Sequence, residues 1–395
     1  MHILDCYSLN CGQKINKPYI MEKFFPLNMD RFICLYPFGQ FDSRVYDYWP
    51  EVVRILFPIL QKENISIAQL GPKDSRKIEG CIDLTGQVNI NQCAYIINKS
   101  ELLLSVDAFP VHFASASNKK SVSLYSDSPP EVNGPYWSDN KNSKCLTPKF
   151  KKGQTFSFAP QEEEKSINTI EPEVIAKSVC ELLDINFDYA YSTIYKGENY
   201  KQPNVEYIPS ENAIDISGMR LDSLIVRMDL FFNESYLLNQ LRSSSCSIIT
   251  DKPVSLRLVE HFKGSIPQFV YLIGDNDSKQ YVQDLYDIGV ECLLMTDKRG
   301  KDLEKLKFKY LDYGHIHLRP IGDKKEFKFL KNKKIDNLYY KSSSYIIKGA
   351  EAFYCQAAIE AGEPVPSIGF SEPQKVIDTP LFWKESENFI ILEKN

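Results

Sequence analysis

Ser105-Val106-Asp107-Ala108-Phe109-Pro110-Val111-His112-Phe113-Ala114 is the stretch on which the fold turns. The apolar run Leu102 to Val106 reads as a buried strand that delivers a carboxylate, Asp107, at its carboxyl end. A histidine follows five residues later, at the start of a helix of small residues (Ala114, Ser115, Ala116). In an open α/β sheet, ligands sit beyond the carboxyl ends of the strands and against helix amino termini that favour anions. The pattern therefore predicts a nucleotide site at Asp107 and His112.

Working outward, the same alternation repeats. Arg31 to Tyr36 reads as a strand, the loop Gly39 to Arg44 follows, and apolar residues at helical spacing predict a helix from about Trp49 to Lys62. Ile65 to Leu70 is the next strand, ending at Gly71. A turn region containing Asp83-Leu84-Thr85-Gly86 leads to a helix near Ile90 to Asn98, the strand at Leu102, the helix after His112, and a strand Ser121 to Tyr125. Strands alternating with helices predict a parallel, doubly wound sheet. Residues up to about Asn28 read as an irregular arm, 147–169 as an excursion without periodicity, and Glu171-Pro172-Glu173 as the start of a helix running to about Leu183. After turn-rich residues the alternation resumes from Leu221 to Leu318. The expected organisation is thus a Rossmann-like domain over 1–190, a linker over 191–209, and a second Rossmann-like domain over 210–395 with an aromatic carboxyl-terminal region.

Composition bounds the function. With 395 residues the chain can form two cores, and 43% hydrophobic with 25% charged residues is a globular composition. A net charge of -5 gives no global basic field for nucleic acid, although Lys324 to Lys334 is a local lysine cluster. The ten cysteines contain no Cys-x-x-Cys pair, and several (Cys34, Cys180, Cys246, Cys292) lie in apolar runs as small hydrophobes. No apolar run has the length of a membrane span. The expectation is a cytoplasmic protein without a metal or other cofactor.

Around the candidate site, the loop Gly39, Gln40 and Arg44 can offer backbone amides and a guanidinium to phosphate, with Gly71 and Asp74 as a second wall. That loop matches neither the Gly-x-Gly-x-x-Gly nor the P-loop spacing. His315 and His317 alternate on a strand and face one side, a spacing compatible with metal, but no third ligand accompanies them.

The segment Asp83-Leu-Thr-Gly through Asp107, then His112-Phe-Ala-Ser-Ala and Gly134-Pro135, resembles the nucleotide-sugar half of the heptosyltransferase-like glycosyltransferases, family 9, of GT-B architecture. The resemblance covers roughly residues 31–184. It implies two facing Rossmann-like domains across a cleft, a nucleotide-sugar donor held by Asp107, Ala108, Phe109 and His112, and inverting, metal-independent transfer. This chain has Ala108-Phe109 where Thr-Gly is usual, and it carries the donor half first, so the two halves look permuted. Leu224-Ile-Val-Arg-Met228 is similar to the strand that opens family members. The residue matching their catalytic base is Asn233, which leaves Asp229 and Glu234 as candidate bases and helix capping as the alternative role for this loop. The acceptor is open among saccharide, protein and nucleic acid, with a saccharide first. The rival readings are a catalytically silent GT-B protein that binds nucleotide or glycan or has a structural role, and an epimerase or hydrolase acting on the nucleotide sugar alone.

Overall fold

A computed structural model describes all residues except 140, 198–199, 201–203, 210–222, 320–321, 323, 326 and 369. The chain divides into two compact units, one of Met1–Thr193 with Asn395 and one of Ile194–Lys394. Each is a mixed α/β unit built on a largely parallel sheet.

In the first unit six parallel strands are β1 (Phe32–Tyr36), β2 (Ser66–Gln69), β3 (Ile82–Asp83), β4 (Leu103–Val106), β5 (Ser121–Leu124) and β6 (Ser143–Leu146). Their order across the sheet is β3-β2-β1-β4-β5-β6. The helices are α1 (Ile3–Cys11), α2 (Trp49–Lys62), α3 (Ile90–Lys99), α4 (Phe109–Ala116), α5 (Pro130–Asn133) and α6 (Pro172–Leu183). Every residue of β1 and β4 is buried, as continuous apolar runs covered on both faces should be. A capping box at Asn89 and Gln92 starts α3. The winding reverses between β1 and β4, where Tyr36 lies opposite Ser105, and beyond the carboxyl ends of such a switch point open α/β sheets bind their ligands.

Several local expectations change. The arm contains α1, which starts at a His2 cap and ends at Gly12 in the left-handed region. α4 begins at Phe109, with Pro110 in its first turn, so His112 lies inside the helix rather than ahead of it. The stretch read as a linker carries β7 (Tyr191–Lys196), within which the division into units falls, and β8 (Asn204–Ile208). The expected opening of the second domain at 210 and the strand start at Leu221 lie outside the described residues.

The second unit continues with β9 (Leu224–Arg227), β10 (Ser247–Thr250), β11 (Phe269–Leu272), β12 (Cys292–Thr296), β13 (Ile316–Leu318), β14 (Leu338–Ser342), β15 (Ser344–Lys348), β16 (Glu351–Phe353), β17 (Gln374–Lys375) and β18 (Phe389–Lys394). Its helices are α7 (Glu234–Ser243), α8 (Leu256–Phe262), α9 (Lys279–Asp287), α10 (Gly300–Lys309), α11 (Gln356–Ala361) and α12 (Pro380–Glu385). The larger sheet runs β13-β12-β11-β10-β9-β8-β15-β16, parallel except for β16. β14 and β18 pair antiparallel in the smaller sheet of order β17-β14-β18-β7. The carboxyl-terminal aromatics are core: Tyr340, Phe382 and Phe389 are buried, with Phe382 stacked on Phe389.

Candidate functional site

The switch point of the first unit brings the predicted residues of two loops together. After β1 the chain turns through Gly39 and a single 3-10 turn, Asp42–Arg44, which aims Arg44 back across the strand ends. A Cβ on Gly39 would stand 2.8 Å from both Cβ and the carbonyl oxygen of Arg44, so only glycine fits this close approach. After β4 comes Asp107, with 3% of its surface exposed. Arg44 Nη1 pairs with Asp107 Oδ2 at 3.0 Å, and its Nη2 with Asp127 Oδ2 at 2.9 Å. Its Nε donates to both Asp127 oxygens at 3.0 Å. Asn133 Nδ2 donates to Asp107 Oδ2 at 2.5 Å.

Asp127 and Asn133 join the site only through the fold. Asp127 follows the buried strand β5 just as Asp107 follows β4, so the same strand-end rule reaches it. Asn133 carries no such signal, since only the turn of α5 directs it to Asp107.

Burial is the largest influence on Asp107 and pushes its carboxyl up to about 6, with Asp127 adding to the rise. Arg44 and Asn133 oppose that rise without cancelling it. A buried strand-end carboxyl that titrates near neutrality, beside a guanidinium, can accept hydroxyl donors or share a proton with a ligand. Burial, and then His2, lower His112, which favours a neutral imidazole there. Phe109 is 37% exposed and meets Tyr36 edge-on at 5.3 Å, giving the loop a partly open aromatic wall.

The remaining donor-loop candidates lie elsewhere or point outward. Gln40 and Asp74 are exposed. Gly71 and Asp74 follow β2, which flanks β1 on the side away from β4, and no described hydrogen bond or ion pair links Asp74 to Arg44, Asp107 or Asp127. Ala108 is the cap position of α4 and is half-buried.

In the second unit Asp229 is committed to an ion pair. Arg227, 4% exposed, donates from Nε and Nη2 to the two Asp229 oxygens at 2.7 Å each, and from Nη1 to Glu206. Burial alone would lower Arg227, and the two carboxylates more than reverse that effect. Asn233 caps α7, its Oδ1 accepting from Tyr236 N at 3.0 Å, so the capping role for this loop is real. Glu234 is half-buried and accepts from Ser255 N at 2.8 Å through Oε1.

A cavity of about 110 Å³ in this unit is lined by Glu206, Arg227, Arg319, Ser342, Ser344 and Glu385, among others. Burial pushes Glu385 up to about 7, against the opposing charges of Arg319 and Arg227. Its Oε2 accepts from Gln356 N at 3.1 Å. The sequence around it, Phe382-Trp383-Lys384-Glu385, gives no sign of this, because the carboxylate acquires its surroundings only through packing. His315 and His317 sit with ring centroids 5.4 Å apart. Among the described residues no group of three or more His, Cys, Asp or Glu is placed to hold a metal ion, and no helix is long and apolar enough to cross a membrane.

The segment containing Arg44, Asp107, His112 and Asp127 also stands out in comparison with known proteins. Residues 36–163 match the family model of glycosyltransferase family 9 (heptosyltransferase). No curated protein sequence matches the chain. Among solved structures, a family 9 glycosyl transferase from Veillonella parvula is 19% identical over 39% of this chain and 46% of its own, with a TM-score of 0.33. The E. coli ADP-heptose lps heptosyltransferase II is 16% identical over 40% of this chain and 47% of its own, with a TM-score of 0.30. E. coli heptosyltransferase WaaC with ADP is 12% identical over 40% of this chain and 46% of its own, with a TM-score of 0.30. The chain spans less than half the length of each of these structures.

Proposed function

We propose that the protein is a glycosyltransferase that moves a sugar from a nucleotide-sugar donor to an acceptor, with the donor held by the first unit at the β1/β4 switch point. The observation that carries this reading is Asp107: a buried carboxylate raised to about 6 and fixed by Arg44 and Asn133, inside the segment that matches family 9. Carboxyls raised by burial beside a charged partner recur at binding sites, and strand ends at a switch point are where open α/β sheets bind ligands. In this reading Asp107 accepts hydroxyls of the donor, and the neutral ring of His112 stands on the helix that follows. Arg44 meets the diphosphate by exchanging one of its carboxylate partners for phosphate oxygens.

Inverting, metal-independent transfer is part of the proposal and follows the family resemblance. The acceptor hydroxyl attacks the anomeric carbon, the bond from that carbon to the diphosphate oxygen breaks, and a carboxylate takes the hydroxyl proton. Asp229 and Glu234 of the second unit are the candidate bases. Glu234 is favoured, because both oxygens of Asp229 are engaged by Arg227. A donor half that precedes the acceptor half, and a saccharide acceptor, complete the reading.

The second reading is a catalytically silent binding protein, favoured by Asn233 in its capping role and by the closed Asp229 pair. A panel of nucleotide sugars separates the two. Turnover, as hydrolysis or transfer, with loss of turnover but retained donor binding in Glu234→Gln supports the enzyme. Nucleotide binding without turnover of any donor supports the silent protein, and a folded protein that neither binds nor turns over any of them overturns both.

A further inference from the structure

Beyond the amino-terminal arm, the phenylalanines of the first unit that stand exposed among the described residues are Phe38, Phe41, Phe109 and Phe158. Three of them belong to the switch point: Phe38 and Phe41 follow β1, and Phe109 follows β4. The Arg44 guanidinium lies over the Phe41 ring, 5.4 Å from its centroid. Phe158 comes from the 147–169 excursion, far along the chain, and is the most exposed of the four at 67%.

Backbone bonds bring Phe158 to the same place. Its N–H donates to the Asp127 carbonyl oxygen at 2.8 Å, and the Pro160 carbonyl oxygen accepts from Ser43 N at 3.1 Å. Residues 158–160 thus tie together the two loops that carry Arg44 and Asp127, the partners of one ion pair. The segment is also fixed on itself. Ser157 Oγ donates to Glu162 Oε1 at 2.6 Å, Ser166 N donates to Glu162 Oε2 at 2.6 Å, and Phe156 meets Phe150 edge-on at 4.9 Å.

Phe158 is unfavourable where it stands on two counts. Its φ of +52° lies in the left-handed region, which a residue with a Cβ adopts at a cost. Its ring leaves apolar surface in water. Glycine would remove both costs at once. A residue held in such a conformation by its surroundings is a pointer to ligand contact, and a flat exposed ring is suited to a flat apolar partner. In the donor proposed above, Arg44 meets the diphosphate, and the flat part of the same molecule is its base.

We propose that Phe158 is the stacking platform for the nucleobase of the donor, brought to the Arg44 and Asp127 loops by residues 157–160. The inference rests on the donor-site reading and names the part of the donor that the excursion recognises. Every base offers a π face, so the platform supplies affinity without choosing among bases.

Calorimetric titration of ADP, UDP, GDP and CDP into the full chain and two variants tests it. Phe158→Gly removes the ring and relieves the left-handed backbone, so its thermal midpoint should not fall. Its affinity for the nucleoside diphosphates that bind the unaltered chain should drop about tenfold, the scale of one base stacked on an aromatic ring. Phe158→Trp keeps a π face and should retain most of the affinity. Unchanged affinity in Phe158→Gly, or a loss in Phe158→Trp equal to that in Phe158→Gly, would overturn the platform while leaving the donor site standing. Binding of none of the four to the folded unaltered chain would instead fail the donor-site reading, and the platform with it.

Discussion

The two units each place a guanidinium between two carboxylates, after β4 and β5 in the first and within β8 and after β9 in the second, yet the triads are in opposite states. Arg227 lies almost wholly out of solvent, and its donors are divided between both oxygens of Asp229 and one of Glu206. Arg44 retains 19% side-chain exposure, and one of its partners, Asp107, is left with a carboxyl raised to about 6. A closed triad fixes the fold, because both charges are compensated by geometry that leaves nothing to exchange. A triad whose guanidinium keeps some exposure and whose carboxyl stays raised despite its partners is suited to exchange partners with a ligand.

The sharpest way to break this comparison is to remove the closed guanidinium. Arg227→Met strands two carboxylates in a buried site, and we expect a loss of about 3–5 kcal/mol in chemical denaturation of the second unit. A loss below about 1 kcal/mol would make the two triads alike. Next in size is Glu234→Gln, which should lower turnover at least about a hundredfold if a general base is removed. Donor affinity should be retained, as steady-state kinetics beside a binding isotherm would show.

Asp107→Asn probes the open triad through stability. Moving a carboxyl from its ordinary 3.8 to about 6 corresponds to about 3 kcal/mol of cost to the ionised folded state. Between these values the folded chain holds a proton that the unfolded chain has released. The cost is therefore complete above pH 6 and fades as the pH falls through 6. The variant should be at least as stable as the unaltered chain at pH 7.5, and its advantage should shrink by pH 5. His112, lowered by burial, contributes in the other direction in both proteins: stability falls as the pH drops below its ordinary value of 6.5, because the unfolded chain then takes up the proton first. A variant that is less stable at pH 7.5 would place Asp107 with the structural pairs. The smallest effect is expected from Gly39→Ala, whose Cβ would press on Arg44 at 2.8 Å. We expect a loss of about 1 kcal/mol in thermal unfolding, with weakened nucleotide binding through displacement of Arg44.

The difference between the units also explains what could be read without a structure. The runs Phe32–Tyr36 and Leu103–Val106 are buried throughout and largely apolar because both faces of their strands are covered, and that composition is visible in the sequence. Asp107 was legible for the same reason, as the first charge after a buried run. The pairing of Arg44 with Asp107 and Asp127 was not, because the three are brought together by the reversal of strand order between β1 and β4. β7 and β8 were hidden by turn-forming residues between them, and their strand state comes from pairing with segments distant in sequence, as Ser344–Lys348 does for β8. In the second unit, Asp229 looked available from its position in a loop. Only the Arg227 geometry reveals how fully it is engaged.

The claim that the open triad is a donor site is tested most directly by calorimetric titration of nucleoside diphosphates and nucleotide sugars into the unaltered protein and Asp107→Asn at pH 7.5. We predict saturable binding to the unaltered chain by at least one nucleotide, weakened about tenfold or more in the variant, the scale of one charge-assisted hydrogen bond. Absence of binding to the folded protein, or identical affinity in the two, would contradict the account.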